Sequence, residues 1–215
     1  MLSLFAPPEA NCSLCQRFTE FRSANRLAWP EWHNSPVPSF GKEDVEFLVV
    51  GLAPGLRGAN RTGRPFTGDY AGDLLYATLR EFGLAKGAYR AVSEDGLTLD
   101  NSRITNAVRC VPPENKPTPE EIKICNRFLA DELASLPKLK VILALGTIAH
   151  GAVLTALGLR KNVAAFGHGA VHLLSGGRSL IDSYHCSRYN TNTGRLTEAM
   201  FKAVFAEKIL PRLRG

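Results

Sequence analysis

The chain contains no run of about 18 apolar residues, the minimum for a membrane-spanning helix. Met1 to Ala10 lacks a basic segment followed by an apolar one, so no secretory signal is expected, and a cytoplasmic location is. There is no internal repeat and no low-complexity stretch. Five cysteines in 215 residues do not make a disulfide framework in a compartment that keeps thiols reduced. What is present is a core: 45% of residues are hydrophobic and 21% charged, which excludes a disordered polycation or a histone-like tail. The 26 Lys and Arg against 20 Asp and Glu leave a formal charge of +6, a weak pointer to an acidic partner such as nucleic acid.

Residues 1–44 carry five prolines and both tryptophans with little periodicity and read as an irregular lead-in. Val45 to Val50 (VEFLVV), stopped by Gly51, and Val141 to Leu145 (VILAL), stopped by Gly146, read as buried parallel strands. Arg103 to Val108 and Ser179 to Tyr184 are further strand candidates. Helices are expected over Ala71–Phe82, from Pro119 to about Leu136, over Thr147–Leu157 and from about Gly194 to Ile209. The second has Thr118 as N-cap, Pro119 at its first position and a T-x-x-E capping box closed by Glu121. This alternation predicts a single α/β domain, a three-layer α/β/α sandwich around a mainly parallel sheet, with ligands at the carboxyl ends of the strands.

Two loops at such ends carry the chemistry. Gly51–Asp69 (GLAPGLRGANRTGRPFTGD) packs five glycines, two prolines, three arginines and one phenylalanine behind the first strand. Glycines let backbone N–H groups approach a ligand, and arginines attract phosphate. The loop has neither G-K-[ST] nor G-x-G-x-x-G, so it is not a nucleotide-phosphate fingerprint. Phe66 within it is either a base-stacking platform or a plug onto the core. Tyr184–Thr197 (YHCSRYNTNTGRLT) follows the last strand, and its His185 is placed to donate to a developing anion. The other four histidines, His33, His150, His168 and His172, stand in contexts without such company and read as structural or solvated.

Cys12 and Cys15 form a C-x2-C pair, with Cys110 and Cys125 remote from it and Cys186 further still. Four such thiolates can hold either zinc or an iron-sulfur cluster. Cys125 falls on the core-facing stripe of its expected helix, three residues after Ile122 and four before Leu129.

The first loop (GLAPG-x-x-G-A-N-R-T-G-R-P-F-T-G-D) and the second (H-x-S-x-x-N-x-x-T-G-R-L-T) resemble the two signature motifs of the uracil-DNA glycosylase superfamily. The iron-sulfur B-type, family 5, matches best. Thr105–Pro119 (TNAVRCVPPENKPTP) resembles that family's middle motif, and the similarity runs from Cys12 to the last helix. The resemblance implies a DNA-repair hydrolase that flips uracil out of DNA and cleaves its N-glycosidic bond to leave an abasic site. Hypoxanthine and other deaminated or modified bases are implied as further substrates. It implies that Phe66 stacks on the base, Asn106 reads its polar edge, His185 stabilises its anion, and Gly51, Leu52, Ala53, Pro54 and Gly55 floor the pocket. Arg57, Arg61, Arg64 and Arg195 are expected on phosphates, with Ser187, Arg188, Tyr189 and Asn190 entering the DNA. A [4Fe-4S] cluster on Cys12, Cys15, Cys110 and Cys125 is implied, stapling the lead-in, with Cys186 lining the second loop. Ala53-Pro54 stands where many superfamily members carry Asp or Asn to hold the attacking water. Asp69 is the nearest acidic candidate for that task and is equally an N-cap; Asp73 follows in the first turn. A monomer is expected. The competing readings are a non-catalytic zinc- or cluster-bearing single-strand binding module and a relative that captures uracil-DNA without turnover. Cleavage of uracil-containing DNA separates enzyme from binder, and brown colour separates cluster from zinc.

Overall fold

The computed structural model describes residues 5–214. In chain order its main elements are α1 (Gln16–Ala28), β1 (Phe47–Gly51), α2 (Ala59–Thr62), α3 (Tyr70–Glu81), β2 (Ala85–Lys86), β3 (Thr98–Leu99), β4 (Ser102–Asn106), α4 (Pro119–Ser135), β5 (Val141–Leu145), α5 (Thr147–Ala156), β6 (Val171–Leu173), β7 (Ser179–Ser183), α6 (Arg188–Asn192), α7 (Glu198–Val204) and α8 (Leu210–Arg214). A π-turn over Phe205–Ile209 joins the last two. None of these helices is long and apolar enough to cross a membrane.

The central sheet has the order β4-β1-β5-β7-β6, parallel throughout except for β6 at the edge. Its four parallel strands are buried along their whole length, as expected of a sheet covered on both faces. Phe47 and Val49 point into one core with α3, α7 and the π-turn, while Leu48 and Val50 point into the other with α4 and α5. The two cores are the spaces between three layers, as the alternation predicts. A separate hairpin pairs β2 with β3.

The capping box on α4 forms in both directions: Glu121 N–H donates to Thr118 Oγ1 at 3.2 Å and Thr118 N–H to Glu121 Oε2 at 2.7 Å. Two expectations are corrected, and one element has no counterpart among them. The lead-in is not irregular throughout, because α1 occupies thirteen of its residues. That helix buries Phe18, Arg22 and Asn25, a largely polar face that offers no apolar stripe for periodicity to detect. The closing helix begins at Glu198, capped by Thr197, and not near Gly194. Gly194 has φ of 70°, a left-handed turn that ends α6 first. The edge strand β6 has only three residues, none buried, and carries no strand signal.

Beneath α4, Glu132 is fully buried and pairs with Arg103 Nε and Arg109 Nη2, each at 2.6 Å. The two guanidiniums hold its carboxyl below the usual range against the opposing effect of burial. Arg103 also donates to Gly41 O and Arg109 to Ser39 Oγ, so this network fastens the chain after α1 to the sheet.

Candidate active site

Gly51 and Asn106 are register partners at the carboxyl ends of β1 and β4. A Cβ on Gly51 would lie 2.4 Å from Asn106 Oδ1 and 2.5 Å from Phe66 Cζ. Glycine is therefore demanded here by close approach, and that approach brings an amide and an aromatic ring to one point. Phe66 is buried with φ of 53°, a strained conformation for a non-glycine residue. Its carbonyl accepts from Tyr89 Oη and sits 1.8 Å from where a Cβ on Gly72 would be, so only glycine fits at this position in the first turn of α3.

An inner pocket is lined by Ala53, Pro54, Gly55, Phe66, Asp69, Ala71, Asn106 and His185, and it opens into a wider cleft bordered by Leu52, Arg57, Tyr70, Asn115, Ser187 and Arg188. The Phe66 and His185 rings stack at 5.9 Å with 27° between planes. His185 is aimed by α6, whose N-cap is Ser187, because Asn190 Nδ2 donates to the His185 carbonyl at 2.8 Å. Burial alone pushes the His185 imidazole down to about 4, so it is neutral at physiological pH and a donor through one N–H only. Asp69 caps α3, accepting from Gly72 N–H at 3.2 Å, while remaining open to the pocket. Desolvation raises its carboxyl above the ordinary range against the opposing pull of that bond.

The arginines divide. Arg57, Arg61, Arg188 and Arg195 are exposed around the cleft and the second loop, with Arg188 over Tyr70 at 5.4 Å and Arg195 over Tyr184 at 4.7 Å. Arg64 is the exception and corrects the phosphate assignment. It is 4% exposed, its Nη1 and Nη2 bond both Asp95 oxygens at 2.8 and 2.7 Å, and its Nε donates to Thr67 Oγ1. With those donors spent inside the protein, it braces the first loop instead of reaching DNA. Tyr189 is 72% exposed at the tip of the second loop, and Cys186 is buried with its thiol toward Ala71 O. Asn115 and Tyr70, which sequence reasoning did not single out, line the cleft. The signal for Asn115 was its place in the turn-forming P-P-E-N run, where it takes φ of 56°.

The four cysteines meet at one cavity, brought there by the segment before α1, the chain after β4 and helix α4. Cys12, Cys15, Cys110 and Cys125 line one cavity with Phe18, Ile124 and Phe128, and Cys15, Cys110 and Cys125 share an apolar cluster with Phe18 and Val108. Burial pushes the Cys15 thiol up to about 11 and Cys110 up to about 12, and Cys125 rises for the same reason. Thiolates there therefore require cations among them. Arg22 Nη1 donates to Cys110 Sγ and Arg109 N–H to Cys125 Sγ, while buried Arg109 Nε has no partner. Among the described residues, the one group of three metal-competent side chains with all ligand atoms within 4.8 Å of one another lies elsewhere. The sulfurs are thus more widely spread than the roughly 3.8 Å that four 2.3 Å bonds to one zinc would impose. The donor set fits a larger all-thiolate group.

A family model described as the uracil DNA glycosylase superfamily matches residues 38–208. The chain is 48% identical over 202 residues to a type-5 uracil-DNA glycosylase of Thermus thermophilus, covering 91% of each chain. It is 41% identical over 192 residues to a type-5 uracil-DNA glycosylase of Pyrobaculum aerophilum, covering 87% of this chain and 83% of the other. With a type-4 uracil-DNA glycosylase of the latter organism it shares 33% identity over 140 residues, 65% of this chain and 63% of that one.

Proposed function

The chain belongs to the uracil-DNA glycosylase superfamily, and on that premise we propose how its pocket excises uracil from DNA. The observation that carries the reading is the convergence of Phe66, Asn106, Asp69 and His185 from three segments onto one inner pocket. Flipping a mispaired base costs about a few kcal/mol; the pocket repays this through stacking and edge contacts. Phe66 presents a ring for the base to stack on, and the Asn106 amide reads its polar edge. His185 donates its N–H to the base oxygen that becomes negative as the glycosidic bond breaks. Being neutral, it stabilises that charge without delivering a proton, the arrangement suited to a departing anion. The sugar turns cationic before water adds, so a strong base is not required.

Asp69 orients the water. Its raised carboxyl makes it a better base than a free aspartate. The sign follows: excision is supported by the ionised form and falls as pH drops through the Asp69 value, which lies above the ordinary 3.9 or so. Single-turnover rates should decline on the acid side from above that value, and Asp69→Asn should be slower at neutral pH and lose the acid limb. An unchanged limb in Asp69→Asn would remove this assignment.

Arg57, Arg61, Arg188 and Arg195 hold phosphates, and Tyr189 fills the gap left by the flipped nucleotide. Each phosphate contact adds about 0.9 to the slope of log affinity against log salt. Arg61→Gln should flatten that slope by about one contact; a salt-independent affinity would refute the whole interface. Cys12, Cys15, Cys110 and Cys125 hold a [4Fe-4S] cluster that ties α1 and the segment before it to α4 and the chain after β4. When bound, the cluster supplies cross-linking and charge at that junction, and the excision chemistry above does not pass through it. The test of function is abasic-site formation on a panel of uracil, hypoxanthine, xanthine, mismatched thymine and alkylated-cytosine oligonucleotides. Uracil should be cleaved, and hypoxanthine is the first extension to look for; a protein inert on all five would overturn the reading.

A further inference from the structure

The histidines taken as isolated are not. Asp182, on β7, points with Leu180 toward the α5 layer, away from Phe66 and His185. There it meets His150 Nδ1 of α5 at 2.7 Å through Oδ1 and His172 Nε2 of β6 at 3.0 Å through Oδ2. The three ligand atoms all lie within 4.8 Å of one another. None of these residues lines the uracil pocket or the cysteine cavity.

The hydrogen bonds of His150 fix which of its ring nitrogens faces Asp182. His150 Nε2 lies 3.0 Å from the Ala164 carbonyl, which only accepts, so Nε2 carries the proton. In the neutral ring Nδ1 then bears a lone pair, and it faces a carboxylate oxygen that bears another. Asp182 is fully buried, and among the described residues its only ion-pair partners are His150 and His172, with no lysine or arginine. The contact needs either a proton or a metal ion between Nδ1 and Oδ1, and a metal ion there would be within reach of His172 Nε2 as well. The backbone bond from Nε2 is the contact that orients metal-bound imidazoles, and Gly167 N–H steadies the carboxylate from behind, at 3.3 Å from Oδ2.

We propose that His150 Nδ1, His172 Nε2 and Asp182 form a binding site for a divalent transition-metal ion of the zinc class. Two imidazoles and one carboxylate, with no thiolate, suit Zn2+ and not the all-oxygen shells of calcium or magnesium. Bonds of about 2.0–2.2 Å spread the ligand atoms to roughly 3.3 Å, a small opening of the Nδ1–Oδ1 pair. Entry is from the sheet edge, where the His172 side chain is 17% exposed, and water completes the shell. The ion clamps the short edge strand β6 and helix α5 to β7.

The test is Zn2+ titration of the purified protein, with its cysteine-held group in place, followed by zinc X-ray absorption and thermal melting. We expect one equivalent bound through nitrogen and oxygen at about 2.0–2.2 Å, and a melting temperature raised by zinc. His172→Ala should weaken binding by about a hundredfold or more, since even outer-shell losses cost 10–100-fold, and should abolish the shift. His172→Gln, which keeps the bulk, should behave alike. Absence of binding, sulfur in the zinc shell at about 2.3 Å, or unchanged affinity in the His172 variants would each overturn the site. Should the variants fail to fold, the absorption spectrum of the unmodified protein decides alone.

Discussion

Replacing His185 with alanine should slow single-turnover uracil release by about a hundredfold or more. A pre-placed donor aimed at a developing anion in a dry site is worth about 3–4 kcal/mol, and each 1.4 kcal/mol is about tenfold in rate. The variant should fold. Among the described residues the imidazole makes no hydrogen bond to protein, its one ring contact is Phe66, and Asn190 holds the backbone carbonyl, which alanine retains. The loss should therefore fall on the chemical step with DNA affinity little changed. Its pH signature is equally specific: because burial holds the ring near 4, the unmodified enzyme should show no limb at the usual histidine value of about 6.5. A twofold loss, or a limb near 6.5 that disappears in His185→Ala, would sink the assignment.

The second large effect lies in a residue whose sequence context suggested DNA. Arg64→Met should destabilise the fold by about 3–5 kcal/mol, because it strands Asp95 as a buried, unpaired charge. Asp95 is fully buried, and its ion pair with Arg64 holds its carboxyl well below the ordinary range. The guanidinium also lies over the Phe40, Tyr76 and Tyr89 rings, so packing is lost as well as charge. Urea unfolding should show a lower midpoint at unchanged slope. Changing both partners to apolar residues, Arg64→Met with Asp95→Leu, should recover most of the loss, since a filled apolar site can match a buried ion pair. If the single variant is as stable as the unmodified protein and instead loses DNA affinity, Arg64 is a phosphate contact after all.

The legible parts of the sequence share a cause. The apolar runs at Val45–Val50 and Val141–Leu145 are short and each is followed by glycine, and the strands Phe47–Gly51 and Val141–Leu145 lie within two residues of them. Thr118, Pro119 and Glu121 act within four residues of one another, so the start of α4 is written locally. Phe66, Asn106, Asp69 and His185 were selected one motif at a time, and they line one pocket because parallel strands deliver their carboxyl ends to one edge.

The sequence by itself determined the α/β class, the strands that bear the pocket and the residue types available to it, since these depend on nearest neighbours and short periodicities. Only the tertiary structure decided which arginines face outward. Arg61 and Arg64 are three residues apart in one basic loop, yet one is exposed and the other is sealed against Asp95, 31 residues further on. It also decided that His150, Asp182 and His172 are one cluster. A helix, a central strand and an edge strand bring them within hydrogen-bond distance, and no local pattern encodes a pairing made across 32 residues. Burial of a charge is a property of everything packed around it, and that is set only when the layers close.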